Sequence, residues 1–168
     1  MIELVAKTAA AGLLPKTIGA LTLSEVAPHT IHSIAPLKGA KLAGFPEVGK
    51  SASYKGGTLM WSAREQYFLL GGTPPKMKAA ITDQSDAWCS LALMGHLAGD
   101  VMARLCPLNT NAMAQGDVAR SLIGHMTALI LRVDDGFQIM VFRAFAKTLV
   151  HELTEAMTAT YARQNIAD

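Results

Sequence analysis

Ala128-Leu129-Ile130-Leu131-Arg132-Val133-Asp134-Asp135-Gly136-Phe137-Gln138-Ile139-Met140-Val141-Phe142-Arg143 carries the clearest local signal in the chain, that of a β-hairpin. Apolar runs at 128–133 and 137–143 flank Asp134-Asp135-Gly136, and Asp-Gly suits the positive φ that tight hairpin turns require. On the second run Phe137, Ile139 and Val141 share one face, and Met140 and Phe142 the other. A strand apolar on both faces is central in its sheet or covered on both sides. The pattern then changes period. Across 144–162, Phe145, Ala146, Leu149, Val150, Leu153, Ala156 and Met157 recur as a helical stripe, with Lys147, His151, Glu152, Glu155 and Thr158 facing away.

Upstream, 21–26 and 30–34 read as short strands on either side of Pro28. A hairpin joins 58–61 to 66–70 and ends at Gly71-Gly72-Thr73-Pro74-Pro75. Residues 87–93 alternate as a half-buried strand, and a helix starts at Gly95 with Asp100 and Arg104 as an outward i, i+4 pair. Pro107 stops that helix. Residues 36–57 are expected to form a long loop with at most one helical turn, 75–80 a short helix, and 109–115 a polar loop. Clustered strands, then strand–helix, then hairpin–helix, describe an α+β fold: mixed, mostly antiparallel sheets with helices packed on them. The 168 residues fit one domain, 1–168, with 1–20 read as an extended or partner-contacting arm.

Hydrophobic residues make up 51 % of the chain and charged ones 17 %, against a usual charged share of roughly 25 %. The apolar excess either fills the core or faces a partner, and nine Met residues suit an irregular contact as well as a core gap. A net charge of +2 without a basic block argues against nucleic acid. Residues 1–56 hold six Lys against three Glu, scattered as on a solvated face. Cys89 and Cys106 stand in no metal-ligand or redox spacing, so two free thiols are simpler than a disulfide. No apolar run is long enough to span a bilayer, and Glu3 and Lys7 interrupt the first residues too soon for a signal segment. The expectation is a cytoplasmic protein with neither membrane nor nucleic-acid partners.

Few residues point to chemistry. His29 and His32 fall on opposite faces of a strand, so a shared metal needs a bend at Pro28. His96 and His125 each follow a glycine at an element boundary and lack a neighbouring carboxylate or nucleophile. Lys147, His151 and Glu155 recur every four residues, which a solvated helix face explains better than a proton relay. Ser85 has no Gly-x-Ser-x-Gly setting, and Gly56-Gly57 and Gly71-Gly72 make no phosphate-binding loop. Asp83, Asp86, Asp134 and Asp135 are the candidate paired carboxylates, useful only if they converge. No catalytic, cofactor-binding or metal-binding residue is assigned.

Over roughly 58–155 the chain resembles the gamma subunit of heterotetrameric sarcosine oxidase. Three blocks carry the resemblance: Leu59-Met60-Trp61 through Tyr67-Phe68-Leu69-Leu70; Ile81-Thr82-Asp83-Gln84-Ser85-Asp86-Ala87-Trp88 into Leu105-Cys106-Pro107-Leu108; and Leu122-Ile123-Gly124-His125-Met126 through Val141-Phe142-Arg143-Ala144-Phe145-Ala146. The resemblance implies a fold like the folate-binding domain of glycine-cleavage aminomethyltransferases. In that relative an acidic pair used with folate occupies the strand matching 126–132. The matching positions here are Thr127 and Ala128, neither of which can act as a carboxylate base.

The resemblance therefore implies a non-catalytic structural subunit of a complex that oxidatively demethylates sarcosine to glycine and passes the one-carbon unit to tetrahydrofolate. It implies no cofactor on this chain, with FAD, FMN, NAD and tetrahydrofolate on partner subunits. The implied partners are larger flavin-binding subunits and a small zinc-binding subunit, with self-association when isolated. The alternatives are a stand-alone folate-binding or one-carbon-transfer protein, which needs a carboxylate in its cleft, and a small metal-dependent hydrolase using His29, His32 and an Asp.

Overall fold

The computed structural model describes residues 5–26 and 30–167. The strands in chain order are β1 (Lys16–Ile18), β2 (Leu21–Glu25), β3 (Ile31–Pro36), β4 (Ser51–Tyr54), β5 (Gly57–Ala63), β6 (Gln66–Gly71), β7 (Ala79–Asp83), β8 (Trp88–Met94), β9 (Val118–Ile123), β10 (Met126–Val133) and β11 (Gly136–Phe142). Helix α1 spans Ala98–Leu105 and α2 spans Ala146–Ala167. One sheet runs β1-β2-β8-β11-β10-β9 and the other β4-β5-β6-β3-β7. The pairings are antiparallel. The fold is α+β.

Strand β11 is covered on both faces, as its pattern requires. Phe137, Ile139 and Val141 enter one core with Cys89, Leu91 and Leu93 of β8 and with Val101, Met102, Leu149, Val150 and Leu153 of the helices. Met140, on the opposite face, enters a second core between the sheets with Ile31, Met60, Phe68, Leu70, Trp88, Leu129 and Leu131. The outer face of the second sheet buries Ile34, Leu59, Tyr67 and Leu69 under Phe45, Tyr54, Trp61 and Met77. The layers are therefore helices, first sheet, second sheet, and a covering loop.

The decisive hairpin forms, but not through the turn chemistry expected of it. Val133 pairs with Gly136, so the loop is Asp134-Asp135, and neither is among the residues with positive φ. Gly136 is needed for space instead, because a Cβ there would collide with the carbonyl oxygen of Leu93 on β8.

Other expectations are corrected. Residues 79–83 are strand β7, not part of a short helix at 75–80, because β3 offers them a ladder from His32↔Asp83 to Pro36↔Ala79; partner pairing outweighs local preference there. The loop expected at 36–57 contains β4, laid on β5, and the edge strands β1 and β9 were not anticipated. The strands read at 21–26 and 30–34 join different sheets. Helix α1 begins at Ala98, after Gly95 at φ 119, and Asp100 and Arg104 form no ion pair among the described residues. Phe145 is 42 % exposed, since it lies in the 3-10 turn Arg143–Phe145 that precedes α2. The rest of the α2 stripe is buried. Between residues 5 and 20, β1 pairs with β2 and Ala10 is buried in the helix-side core.

The two sheets are also tied at one edge. Lys50 bridges to Asp117, Val118 N–H donates to the Gly49 carbonyl at 2.7 Å, and Lys50 Nζ meets Asp117 Oδ1 at 2.6 Å. Asp117 also accepts from the Ala114 N–H. The hydrogen bond from Lys50 holds the Asp117 carboxyl below its ordinary range, and Asp117 holds the Lys50 ammonium above its own.

Two outcomes are expected in urea unfolding. Gly136→Ala should lower stability by about 1–3 kcal/mol, the usual cost of overpacking, and an unchanged midpoint would contradict the close approach of the Leu93 carbonyl. A carboxyl depressed on folding contributes stability above its unfolded pKa, about 3.9, and loses it as pH falls through the folded value. Asp117→Asn should therefore flatten the fall in stability below about pH 4, and an unchanged acid limb would contradict the role given to this pair.

Candidate functional site

A cleft of about 400 Å³ with convergent polar groups opens at one end of the interface between the sheets. Its apolar wall is Ile31 of β3, Leu70 of β6 and Trp88 of β8. Trp88 is held by Phe142, stacked at 4.6 Å, by the edge of Phe68, and by a 3.1 Å hydrogen bond from its indole N–H to Gln84 Oε1. Polar groups enter from Glu25, Asp86, Ser90, Gln138 and Arg143. Residues 6–9 lie along one side. A second concavity of about 510 Å³, beside the β4–β5 turn, shares Leu70 and Gln138 with the first.

Most of these polar groups already serve the chain itself. Glu25 accepts from the Thr8 hydroxyl at 2.6 Å and from the Ala10 N–H at 3.0 Å, so both its oxygens fasten the 8–10 segment. Arg143 donates to the Lys7 carbonyl. Gln138 donates to Ser90 Oγ at 2.8 Å. The Ser85 hydroxyl donates to Asp83 and accepts from the Ile31 N–H at 3.0 Å. The bond from the Ser85 hydroxyl, with one from the Ser85 N–H, keeps Asp83 below the ordinary carboxylate range, and His32 assists electrostatically. A nucleophilic triad needs histidine between serine and carboxylate. Here the carboxylate meets the serine directly.

Of the described candidate residues read from the sequence, Ser85 and Asp86 line this cleft and the others do not. His29 lies outside the described residues. His32 sits on β3 with its Nδ1 buried and unpartnered, and among the described residues no three His, Cys, Asp or Glu side chains are placed to hold a metal ion. His96 and His125 are exposed and line neither concavity. Lys147, His151 and Glu155 are exposed along α2. Asp83 and Asp86 precede β8 at the end where Phe142 pairs with Trp88, while Asp134 and Asp135 turn at the end where Gly136 pairs with Met94. Strand rise separates the two carboxylate pairs by about 20 Å. They do not converge.

Thr127 is exposed, and Ala128 is buried in the helix-side core. Neither lines the cleft, so the positions matched to the relative's acids face elsewhere. The carboxylates beside this cleft are Glu25 and Asp86. Sequence reasoning passed over Glu25, yet a signal existed: it continues the face of Leu21 and Leu23, both fully buried, which is an unusual place for a charge. Gly56-Gly57 and Gly71-Gly72 also come together, since Gly57 pairs with Gly71 and a Cβ on Gly72 would lie 2.7 Å from the Gly57 nitrogen. They make close backbone packing at the mouth of the second concavity.

Cys89 and Cys106 are free and buried. Burial pushes the Cys89 thiol up to about 11, with Glu25 adding to the rise and Arg143 opposing it. A thiol so placed stays protonated and does not act as a nucleophile at neutral pH.

Compared with known proteins, the chain matches no family model and no curated sequence. Its fold is similar to that of a chain in the heterotetrameric sarcosine oxidase from Corynebacterium sp. U-96, solved in complex with pyrrole 2-carboxylate. The TM-score is 0.79 at 18 % identity, and the match covers 93 % of this chain and 96 % of that one. The similarity thus takes in a whole chain of that assembly and establishes a shared fold. No helix among the described residues is long and apolar enough to cross a membrane.

Alkylation with iodoacetamide should label Cys89 at pH 8 about a hundredfold more slowly in the native protein than in urea, as expected when the thiol is moved from 9.0 to about 11. Peptide mass spectrometry locates the label, and fast native labelling of Cys89 would refute the assignment.

Proposed function

We propose that this chain is a non-catalytic structural subunit of a sarcosine-oxidase-type complex, the counterpart of that enzyme's gamma subunit. The observation carrying the proposal is the end-to-end fold match to a chain of a heterotetramer. The state of the cleft supports it. Both oxygens of Glu25 and the Arg143 guanidinium are engaged with the chain's own residues 7–10, and the nearby thiol is held protonated. A site built to act on substrate keeps its acid, base or nucleophile directed at the reacting atoms. On this reading FAD, FMN, NAD and tetrahydrofolate belong to the partner subunits, which are larger flavin-binding chains and a small zinc-binding chain.

A second reading has one observation in its favour. Glu25 and Asp86 border the cleft, and a folate-binding or one-carbon-transfer protein requires a carboxylate there. Calorimetric titration of the isolated chain with tetrahydrofolate separates the two, since the subunit reading expects no saturable heat.

The direct test is co-expression with the flavin-binding subunits of a sarcosine-oxidase-type complex from the same organism. A tag on this chain should recover a yellow complex that oxidises sarcosine, and omission of the chain should reduce the yield of assembled complex. If the flavoprotein assembles and turns over equally well without it, and the tagged chain recovers no flavin, the subunit reading fails.

A further inference from the structure

The long loop after β3 builds a groove on the outer face of the second sheet, remote from the cleft between the sheets. Its volume is about 760 Å³, and it is lined by Leu37, Leu42 and Val48 from the loop and by Trp61, Arg64 and Glu65 from the β5–β6 hairpin. Leu37 is 50 % exposed, Leu42 44 % and Val48 75 %. Scattered exposed apolar residues are ordinary on a protein surface, but three within twelve positions lining one concavity with a half-buried tryptophan are not.

The groove is preformed. The loop closes successive turns through Ala40 N–H to Leu37 O at 2.9 Å, Phe45 N–H to Leu42 O at 3.1 Å, and Lys50 N–H to Glu47 O at 3.1 Å. The Leu37 N–H also donates to the Lys78 carbonyl at 3.0 Å, next to β7. Phe45 anchors the loop against the sheet, edge-on to Tyr67 at 4.9 Å and to Tyr54 at 5.7 Å. An ordered surface loses less entropy when it binds. Tryptophan and arginine beside each other in a concavity are also the residues that most often dominate binding energy.

Charge selects the occupant. Lys38 and Arg64 line the groove and Lys41 stands on the same loop, against Glu65 at the rim and Glu47 at the loop's far end. None of these three cations is in an ion pair among the described residues. A two-fold contact between copies would bring the same cations toward one another, which is unfavourable in a partly desolvated interface. An apolar segment flanked by carboxylates satisfies both the exposed side chains and the free cations.

We propose that this groove, framed by Leu37, Leu42, Val48 and Trp61, is the docking surface for an acidic, apolar-anchored segment of a larger subunit. The proposal rests on the subunit reading given above. It is tested in the co-expressed complex with flavin-binding subunits, using Leu42→Glu combined with Val48→Glu as the disrupting variant. Both side chains are exposed, so the variant should keep the thermal midpoint of the wild-type chain while binding the flavoprotein at least tenfold more weakly. Lys38→Glu, Lys41→Glu and Arg64→Glu together should weaken binding and flatten its dependence on salt. Ile166→Glu, 85 % exposed on α2 across the first sheet, should change nothing. If the wild-type chain binds the flavoprotein and the Leu42/Val48 variant binds equally well, the groove proposal is overturned and the subunit reading stands. If the wild-type chain does not bind, both fall. If the variant keeps its flavoprotein affinity and only converts a self-associated chain into monomer, a second copy is the occupant and the proposal is wrong.

Discussion

Strand β11 has no polar face to offer water. Phe137, Ile139 and Val141 point one way and Met140 the other, all nearly or fully buried, and each such side chain stabilises the fold by about 1.5–3 kcal/mol only if it is covered. Two independent layers are therefore needed, one on each side. The chain supplies α1 and α2 for the first face and an entire second sheet for the other. Every later feature of the molecule follows from where that second sheet stops. Its own outer face must again be covered, and among the described residues that cover comes from the loop carrying Phe45 and from Met77 ahead of β7, not from a further sheet or helix.

This order of covering explains why the concavities lie where they do. The sheets do not overlap fully: β1 and β2 extend one edge of the first sheet, while β4 ends the other sheet next to β9. At the β2 end the gap is walled by Trp88 and fastened by Glu25 and Arg143 to residues 7–10. At the opposite edge Lys50 and Asp117 clamp the layers together. The cleft is thus a by-product of sheet offset, and Glu25, Ser90, Gln138 and Arg143 in its lining are bonded to the chain itself. The outer groove differs in kind, since Leu37, Leu42 and Val48 are exposed along it and Lys38 and Arg64 in its lining form no ion pair among the described residues.

What the sequence made legible tracks how strongly each segment carries its own instructions. The period-2 run at 137–143 and the period-3.6 run at 144–162 needed no partner to be read, and both elements are present. Residues 79–83, Ala-Ala-Ile-Thr-Asp, carry no such pattern and are mostly exposed; they are a strand only because β3 lies alongside. The edge strands β4 and β9 are similar, with polar Ser51, Ser53, Arg120 and Ser121 diluting the alternation. Gly136 was noticed for a turn conformation that it does not adopt, while its actual constraint, the approach of the Leu93 carbonyl, comes from a strand more than forty residues earlier. Non-local packing of that sort leaves no local trace.

The same distinction bears on the site. Thr127 and Ala128 were singled out by position along a strand, but the burial of Ala128 among helix-facing residues shows that strand position does not specify which cavity a residue serves. Glu25 was within reach of a stricter reading, because a carboxylate in register with Leu21 and Leu23 must find partners near the core. It finds the Thr8 hydroxyl and the Ala10 N–H, and so holds the start of the chain onto the domain. Charge at Glu25 is thereby used for self-attachment, while Lys38 and Lys41 on the outer loop form no ion pair among the described residues and stand beside exposed apolar side chains.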